Sequence, residues 1–271
     1  MTTMFKKVSV SQFPTGTTCL DTVATEEPME IRVNGQSCAV LMRTPGMDRE
    51  LTAGFLLTEG LVDGADDIKA IAPCEDPARP NSHNLILSTL AEGCENPEER
   101  LAKARRHFFS TSSCGLCGKA TIENIHQNVR PHSDFATLRR TLVERMGEQV
   151  LARQSTFQKT GGLHAAALIE NRDDGEIIAL AEDIGRHNAV DKVLGQMLLS
   201  DHIPLTNTLL WVSGRSSFEV IQKALMGGVI GIICVGAPSS LAVELARESC
   251  LTLIGFAKDG GRFNLYCGQV S

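Results

Sequence analysis

Ile31-Arg-Val33 alternates apolar and polar residues, Asn34-Gly35 follows, and Ala39-Val-Leu-Met42 runs back as an apolar stretch. Two strands joined by a type I′ hairpin are predicted, because Asn-Gly supplies the positive φ that this turn needs. The rest of residues 1–45 also reads as strand, with Glu26-Glu27-Pro28 at the start of an edge strand. After Thr44-Pro45-Gly46 the period changes. Leu51, Phe55 and Leu56 share a face and predict a helix over about 49–58 that stops near Gly60. Strands are expected over 68–72 and 84–89, which makes a small α+β unit. Residues 91–106 are charged, with Pro97 near a helix start, and read as a solvated connecting helix or linker. Helical spacing appears at Ile122, Ile125 and Val129, breaks at Pro131, and resumes at Leu138, Leu142, Val143 and Met146 for a helix over 137–151.

Beyond this point short apolar runs alternate with helical ones. Strands are predicted over 164–169 and 176–181, paired as a hairpin across Asp173-Asp174-Gly175. A helix over 188–199, a buried strand over 208–212, a helix over 217–226 and a strand over 230–235 follow. A helix over 239–247 and strands over 251–256 and 263–266 close the set. Strand–helix alternation of this kind predicts a mostly parallel sheet with helices on its faces. The expected fold class is α/β, or α+β overall, in three parts: a small α+β domain at 1–105, a loop and helix at 106–134, and an α/β domain at 135–271.

The chain has 271 residues, 42% of them hydrophobic and 21% charged, which indicates neither disorder nor a coiled coil. Its net charge of −6 disfavours general attraction to nucleic acid. The N-terminus lacks an apolar signal core, and the most apolar run, 227–237, is too short and glycine-rich to span a bilayer. A cytoplasmic protein without membrane contact is expected. Nine cysteines, an odd number, then argue for reduced thiols rather than a disulfide frame. Cys234, within Val229–Val235, reads as a small buried hydrophobe.

Cys114 and Cys117 form the single close pair, in Ser110-Thr-Ser-Ser-Cys-Gly-Leu-Cys-Gly-Lys119. Ser/Thr hydroxyls before the first thiol offer a helix cap, and a thiol at a helix N-terminus is stabilised as thiolate, the reactive form. Three readings remain open from spacing alone. Zinc needs two further ligands that no second Cys-x-x-Cys or His pair supplies. A thioredoxin-like oxidoreductase would place the motif directly after a strand. A sulfur carrier needs an exposed, low-pKa thiol with a neighbour for release.

Polar, glycine-rich loops fall where the predicted strands end: Thr160-Gly-Gly-Leu-His164, Glu182-Asp-Ile-Gly-Arg-His-Asn188, Ser213-Gly-Arg-Ser-Ser217 and Gly236-Ala-Pro-Ser-Ser240. Small residues and helix N-termini suit phosphate or carboxylate, and Arg186, Arg215, Lys258 and Arg262 add cations. His164 and His187 read as acid–base groups or as hydrogen-bonded loop anchors. Asp183 and Asp191 read as structural partners of nearby Arg or His. Neither a Walker A loop nor a Gly-x-Gly-x-x-Gly fingerprint is present.

Several long blocks, in order, resemble the formate dehydrogenase accessory sulfurtransferase (FdhD) family. They include Glu26-Glu-Pro28, Met42-Arg-Thr-Pro-Gly-Met-Asp-Arg-Glu50, Gly54-Phe-Leu-Leu-Thr-Glu-Gly60, Ser112-Ser-Cys-Gly-Leu-Cys-Gly118 and Thr160–Ala166. Glu182–Lys192, Ser213–Glu219, Val235–Ala242 and Gly255–Asn264 continue the match. The resemblance implies a sulfur carrier that receives sulfur from a cysteine desulfurase. It passes the sulfur to the molybdenum cofactor, Mo-bis(molybdopterin guanine dinucleotide), for formate dehydrogenase. It further implies that Cys114 carries the persulfide with Cys117 as second thiol. Phe256, Ala257, Lys258, Asp259, Gly260 and Gly261 are the implied cofactor-binding residues, in a cytidine-deaminase-like domain. The deaminases' zinc ligands are absent, so deaminase chemistry is not expected. A homodimer is expected, because the cofactor has two dinucleotide arms. No tightly bound metal is expected, and the contrasting reading is a cofactor chaperone whose Cys-x-x-Cys binds zinc or is structural.

Overall fold

The structure, a computed structural model, describes residues 3–112, 129–258 and 261–271; of residues 106–112 and Lys258 it describes the backbone alone. The chain opens with an antiparallel hairpin, β1 (Phe5–Gln12) and β2 (Thr17–Ala24). A four-stranded sheet follows in the order β4-β3-β6-β5, from β3 (Glu27–Val33), β4 (Gln36–Arg43), β5 (Ile68–Pro73) and β6 (Leu85–Leu90). Its β3–β4 turn holds Asn34 at φ 49° and Gly35 at φ 80°, the two positive values that the Asn-Gly signal required. Helix α1 (Asp48–Thr58) covers one face of this sheet, burying Leu51, Phe55 and Leu56 against Met29, Ile31 and Val33.

Helix α2 (Pro97–Ser112) starts at the proline, as its pattern predicted. It is more than a solvated connector: Leu101 and Ala104 are buried in the first core, because apolar positions three residues apart face the sheet. The second unit begins with α3 (Arg140–Arg153) and the single turn α4 (Phe157–Thr160). The helix expected over 137–151 is preceded by a two-residue strand, β7 (Thr137–Leu138), which pairs in parallel with β14 (Gln269–Val270).

A six-stranded sheet forms the centre of the molecule, in the order β13-β12-β11-β10-β8-β9. Its strands are β8 (His164–Glu170), β9 (Ile177–Asp183), β10 (Thr208–Val212), β11 (Gly231–Cys234), β12 (Thr252–Lys258) and β13 (Arg262–Cys267). Helices α5 (Arg186–Leu199), α6 (Phe218–Met226) and α7 (Ser240–Glu248) cross over between β9, β10, β11 and β12. The sheet is mixed, with two parallel and three antiparallel ladders. Four strands, β9 to β12, run the same way, while β8 and β13 oppose their neighbours because a tight hairpin joins each to the adjacent strand. Register sorts the faces: Leu168, Leu210, Ile232 and Leu253 lie in one row under α5–α7. Ala167, Trp211, Ile233 and Ile254 lie in the opposite row, against Leu142, Met146 and Val150 of α3.

The two units share α5. Helices α1 and α5 meet at two glycines: a Cβ on Gly54 would lie 1.9 Å from the Asp191 carbonyl oxygen, and one on Gly195 1.8 Å from that of Glu50. Only glycine lets the two backbones approach this closely. Leu198 of α5 completes the core of the first unit.

Candidate functional site

Because β9 to β12 run the same way, their carboxyl ends, and the amino end of the opposed β8, gather at one edge of the sheet. The four glycine-rich loops singled out in the sequence meet there. Ser213 Oγ accepts from the Ala165 amide at 2.9 Å and lies 3.4 Å from His164 Nδ1. A Cβ on Gly214 would stand 3.4 Å from that same nitrogen and 3.6 Å from Arg186 Cδ. The Gly236 amide donates to Gly214 O at 3.0 Å, and the Phe256 amide donates to Gly236 O at 3.1 Å. Helices α5, α6 and α7 all begin at this edge, so three helix dipoles and their first-turn N–H groups converge on it, with the Ala242 amide of α7 already donating to Ser239 Oγ.

One buried carboxylate fixes the Arg186 loop. Asp183 accepts from the amides of Gly185 (2.8 Å) and Thr44 (3.1 Å), from Asn188 Nδ2 (2.9 Å), and from Lys192 Nζ (2.7 Å). The Lys192 ammonium also donates to Thr44 O and Glu182 O. The neighbouring Glu182 points to the other face and accepts the amides of Thr156 (3.0 Å) and Phe157 (2.6 Å), which anchors α4. Asp191 is the third such group: its oxygens accept from Thr58 Oγ1 and Lys223 Nζ, each at 2.9 Å. Burial pushes the Asp191 carboxyl up; burial also opposes the Lys223 ammonium, but Asp191 and Glu59 outweigh it and raise that pKa. Asp183 and Asp191 therefore pair with lysines, not with the Arg or His partners expected, because α5 and α6 bring lysines to them inside the core.

The histidines stand at the same edge. His187 Nε2 lies 3.2 Å from Ser217 Oγ and 3.0 Å from Glu219 Oε2. Burial, then the charges of Lys223 and Arg186, hold its pKa down to about 4, so it is neutral at pH 7. His164 is also lowered, by burial and then by Arg186, with Asp183 opposing. Arg186 keeps Nε buried without a hydrogen-bond partner among the described residues, and Arg215 is exposed.

On the α3 side of the edge lies a cavity of about 760 Å³, lined among others by Leu151, Phe157, Gly162, His164, Trp211 and Ala257. Sequence reasoning found His164 and Ala257. It missed Leu151, Phe157 and Trp211, which read as ordinary apolar positions on their own elements.

Of the residues implied as cofactor-binding, Phe256 is 40% exposed at φ 54°, on the irregular stretch of β12 between Gly255 and Lys258. Ala257 is buried toward α3, and Gly261 returns the chain at φ 75°. Asp259 and Gly260 lie outside the described residues, as do Cys114, Cys117, Lys119 and the helix expected around Ile122 and Ile125. On either side of the cysteine stretch, Asp63 accepts from Arg100 of α2 (2.6 Å) and from Arg130 (2.8 Å). The described cysteines are free, and several are muted: burial pushes the Cys38 thiol up to about 11 and Cys234 to about 12, and raises Cys94 and Cys267. Among the described residues no helix is long and apolar enough to cross a membrane.

Residues 24–270 match the sequence profile of the FdhD/NarQ family. The chain is 47% identical over 252 residues to the sulfur carrier protein FdhD of Mycolicibacterium paratuberculosis, covering 91% of this chain and 90% of that protein. It is 44% identical over 254 residues to the protein of the same name from Streptomyces avermitilis, covering 92% and 88%. Among solved structures it resembles one assigned to a formate dehydrogenase accessory protein of Desulfotalea psychrophila. That likeness has a TM-score of 0.71 and 25% identity, and covers 97% of this chain and 95% of the other.

Proposed function

The chain belongs to the FdhD/NarQ family, and from that premise we propose that it carries sulfur for the maturation of formate dehydrogenase, with the guanine-dinucleotide form of the molybdenum cofactor as acceptor. Cys114 thiolate attacks the terminal sulfur of a desulfurase persulfide. The S–S bond of the donor breaks, its cysteine leaves as thiolate, and Cys114 holds the persulfide. Cys117 thiolate then attacks Cys114 Sγ. The sulfur–sulfur bond there breaks, hydrosulfide leaves for the metal, and a Cys114–Cys117 disulfide forms, which an external dithiol reduces before the next cycle.

The observation that carries the acceptor half of this reading is the sheet edge itself. Three helix N-termini, the Gly214 and Gly236 backbone, and the side-chain stems of Arg186 and Arg215 stand together there. A pyrophosphate is the kind of group such an edge holds. The implied contacts of Phe256, Ala257 and Gly261 extend the same edge at β12. A cytoplasmic homodimer acting with a cysteine desulfurase and formate dehydrogenase completes the proposal.

Incubation with a cysteine desulfurase and cysteine, followed by peptide mass analysis, tests it. A labile addition of one sulfur on the Cys114 peptide is expected, absent in Cys114→Ala. Retention of the added sulfur by Cys114→Ala at the wild-type level refutes the assignment. About one zinc per chain, lost in the same variant, supports the chaperone reading instead.

A further inference from the structure

We propose that the cavity on the α3 side of the sheet edge receives the uncharged pterin ring system of the cofactor, the charged remainder staying outside it. The inference rests on the reading above and adds to it the part of the ligand that this cavity takes. The helix N-termini suited to phosphate belong to α5, α6 and α7, which pack on one face of the sheet, whereas the cavity lies over the other face, beside α3. The two regions meet over the strand ends, at Ser213-Gly214 and at Val235-Gly236; a Cβ on Gly214 would meet nothing closer than 3.4 Å, whereas Gly236 is covered by Arg215, 3.0 Å from where its Cβ would stand. A ligand with phosphates at the helix starts and one ring beyond them has to cross there.

What lies beyond suits an uncharged ring. Leu151, Phe157, Trp211 and Ala257 supply apolar walls, while Ser213 and the neutral-leaning His164 mark the rim. A Cβ on Gly162 would meet nothing closer than 3.8 Å, and one on Gly161 nothing within 4 Å, so this wall is bare backbone facing open space. A cavity of about 760 Å³ falls in the range of small-molecule sites, which are mostly apolar with a few placed polar groups. It reaches from Ala257, near the carboxyl end of β12, to Ile184 after β9, four strand spacings or about 19 Å, longer than one fused ring needs and consistent with a ring plus its linker. The anionic charge of the cofactor stays outside, since the lining residues include no Lys or Arg.

Trp211 is the chain's one tryptophan, so its emission reports on the cavity directly. The test titrates the full-length protein with 6-hydroxymethylpterin, a pterin without phosphate, alone and in saturating GDP, with correction for pterin absorbance against free tryptophan. Calorimetry with GDP runs in parallel. Saturable quenching that persists in the presence of GDP is expected. Leu151 is 43% exposed, so Leu151→Glu should fold normally. It is expected to weaken pterin binding about tenfold and change GDP affinity less than twofold. Absence of quenching overturns the inference whether or not GDP binds, and full displacement of the pterin by GDP overturns it in favour of guanine in the cavity. Equal weakening of both ligands by Leu151→Glu also overturns it. The two readings fail separately: if Cys114→Ala still carries sulfur while the pterin quenches, the sulfur assignment falls and the cavity assignment stands.

Discussion

Gly195→Ala should destabilise the protein although helix propensity says the opposite. In an isolated helix this exchange is favourable by about 1 kcal/mol. Here the new Cβ would stand 1.8 Å from Glu50 O and 2.5 Å from Gly54 N, both backbone atoms of α1. A carbon–oxygen contact needs about 3.3 Å, so α1 and α5 must part by about 1.5 Å. A gap of 0.5–1 Å already forfeits roughly a quarter to a half of the dispersion energy between the facing atoms. The parting also stretches the 2.9 Å hydrogen bond from Thr58 of α1 to Asp191 of α5, both buried. Overpacking against movable side chains costs about 1–3 kcal/mol, and two helical backbones give way less than side chains do. Net of propensity, a loss of about 3 kcal/mol is expected, a fall in Tm of roughly 6–12 °C. Gly64→Ala is the control: its Cβ meets nothing within 4 Å and its backbone is extended, so Tm should hold within experimental scatter. A Gly195→Ala protein as stable as the wild type, or more so, would show that the helices do not touch as described.

Two further outcomes follow from the buried charges. Removing the ammonium in Lys223→Met leaves Asp191 unpaired in the core and should cost about 3–5 kcal/mol, read from the urea midpoint. The double variant Lys223→Met, Asp191→Leu should recover most of that, and a double variant as unstable as the single would contradict the pairing. Folding lowers the His187 pKa from 6.5 to about 4, so the unfolded chain takes the proton first. Its contribution, about 2–3 kcal/mol, is complete above pH 6.5 and is lost as pH falls toward 4. His187→Gln should therefore lose less stability than wild type between about pH 7 and pH 4.5, and an unchanged pH dependence would remove His187 as the cause.

Much of this architecture could be read in the chain. Apolar runs of four to six residues bounded by Gly, Pro and Asp located each central strand, and Asn34-Gly35 located its hairpin. Strand direction was less legible, because period-two alternation is the same for a strand read either way; the pattern predicts the β8–β9 hairpin, but not the insertion of β8 antiparallel beside β10. Gly54 and Gly195 carried no signal, since a lone glycine in a helical pattern looks like a weak point unless the facing backbone is known. Pairing of β7 with β14 joins residues 132 apart, as Thr137 and Gln269 do, and two-residue strands have no periodicity. At the site, residue type and a place after a strand (for three loops) or before one (for Thr160–His164) sufficed to single out the four loops. The cavity beside them is made from the undistinguished sides of α3 and β10, and appears only when the two are packed. Spacing alone left zinc, redox and sulfur-carrier readings of Cys114 and Cys117 open, and both cysteines lie outside the described residues.

The muted thiols have a consequence for a protein whose cargo is sulfur. With a pKa of about 11, Cys38 is thiolate in only about one chain in ten thousand at pH 7, and Cys234 in about one in a hundred thousand. Persulfide sulfur moves to whichever thiolate meets it, so every reactive cysteine is a possible wrong address. By sinking Cys38, Cys94 and Cys234 in its cores, the fold keeps these three sulfhydryls out of that competition at no chemical expense. Fidelity of delivery then begins with the cysteines that cannot answer.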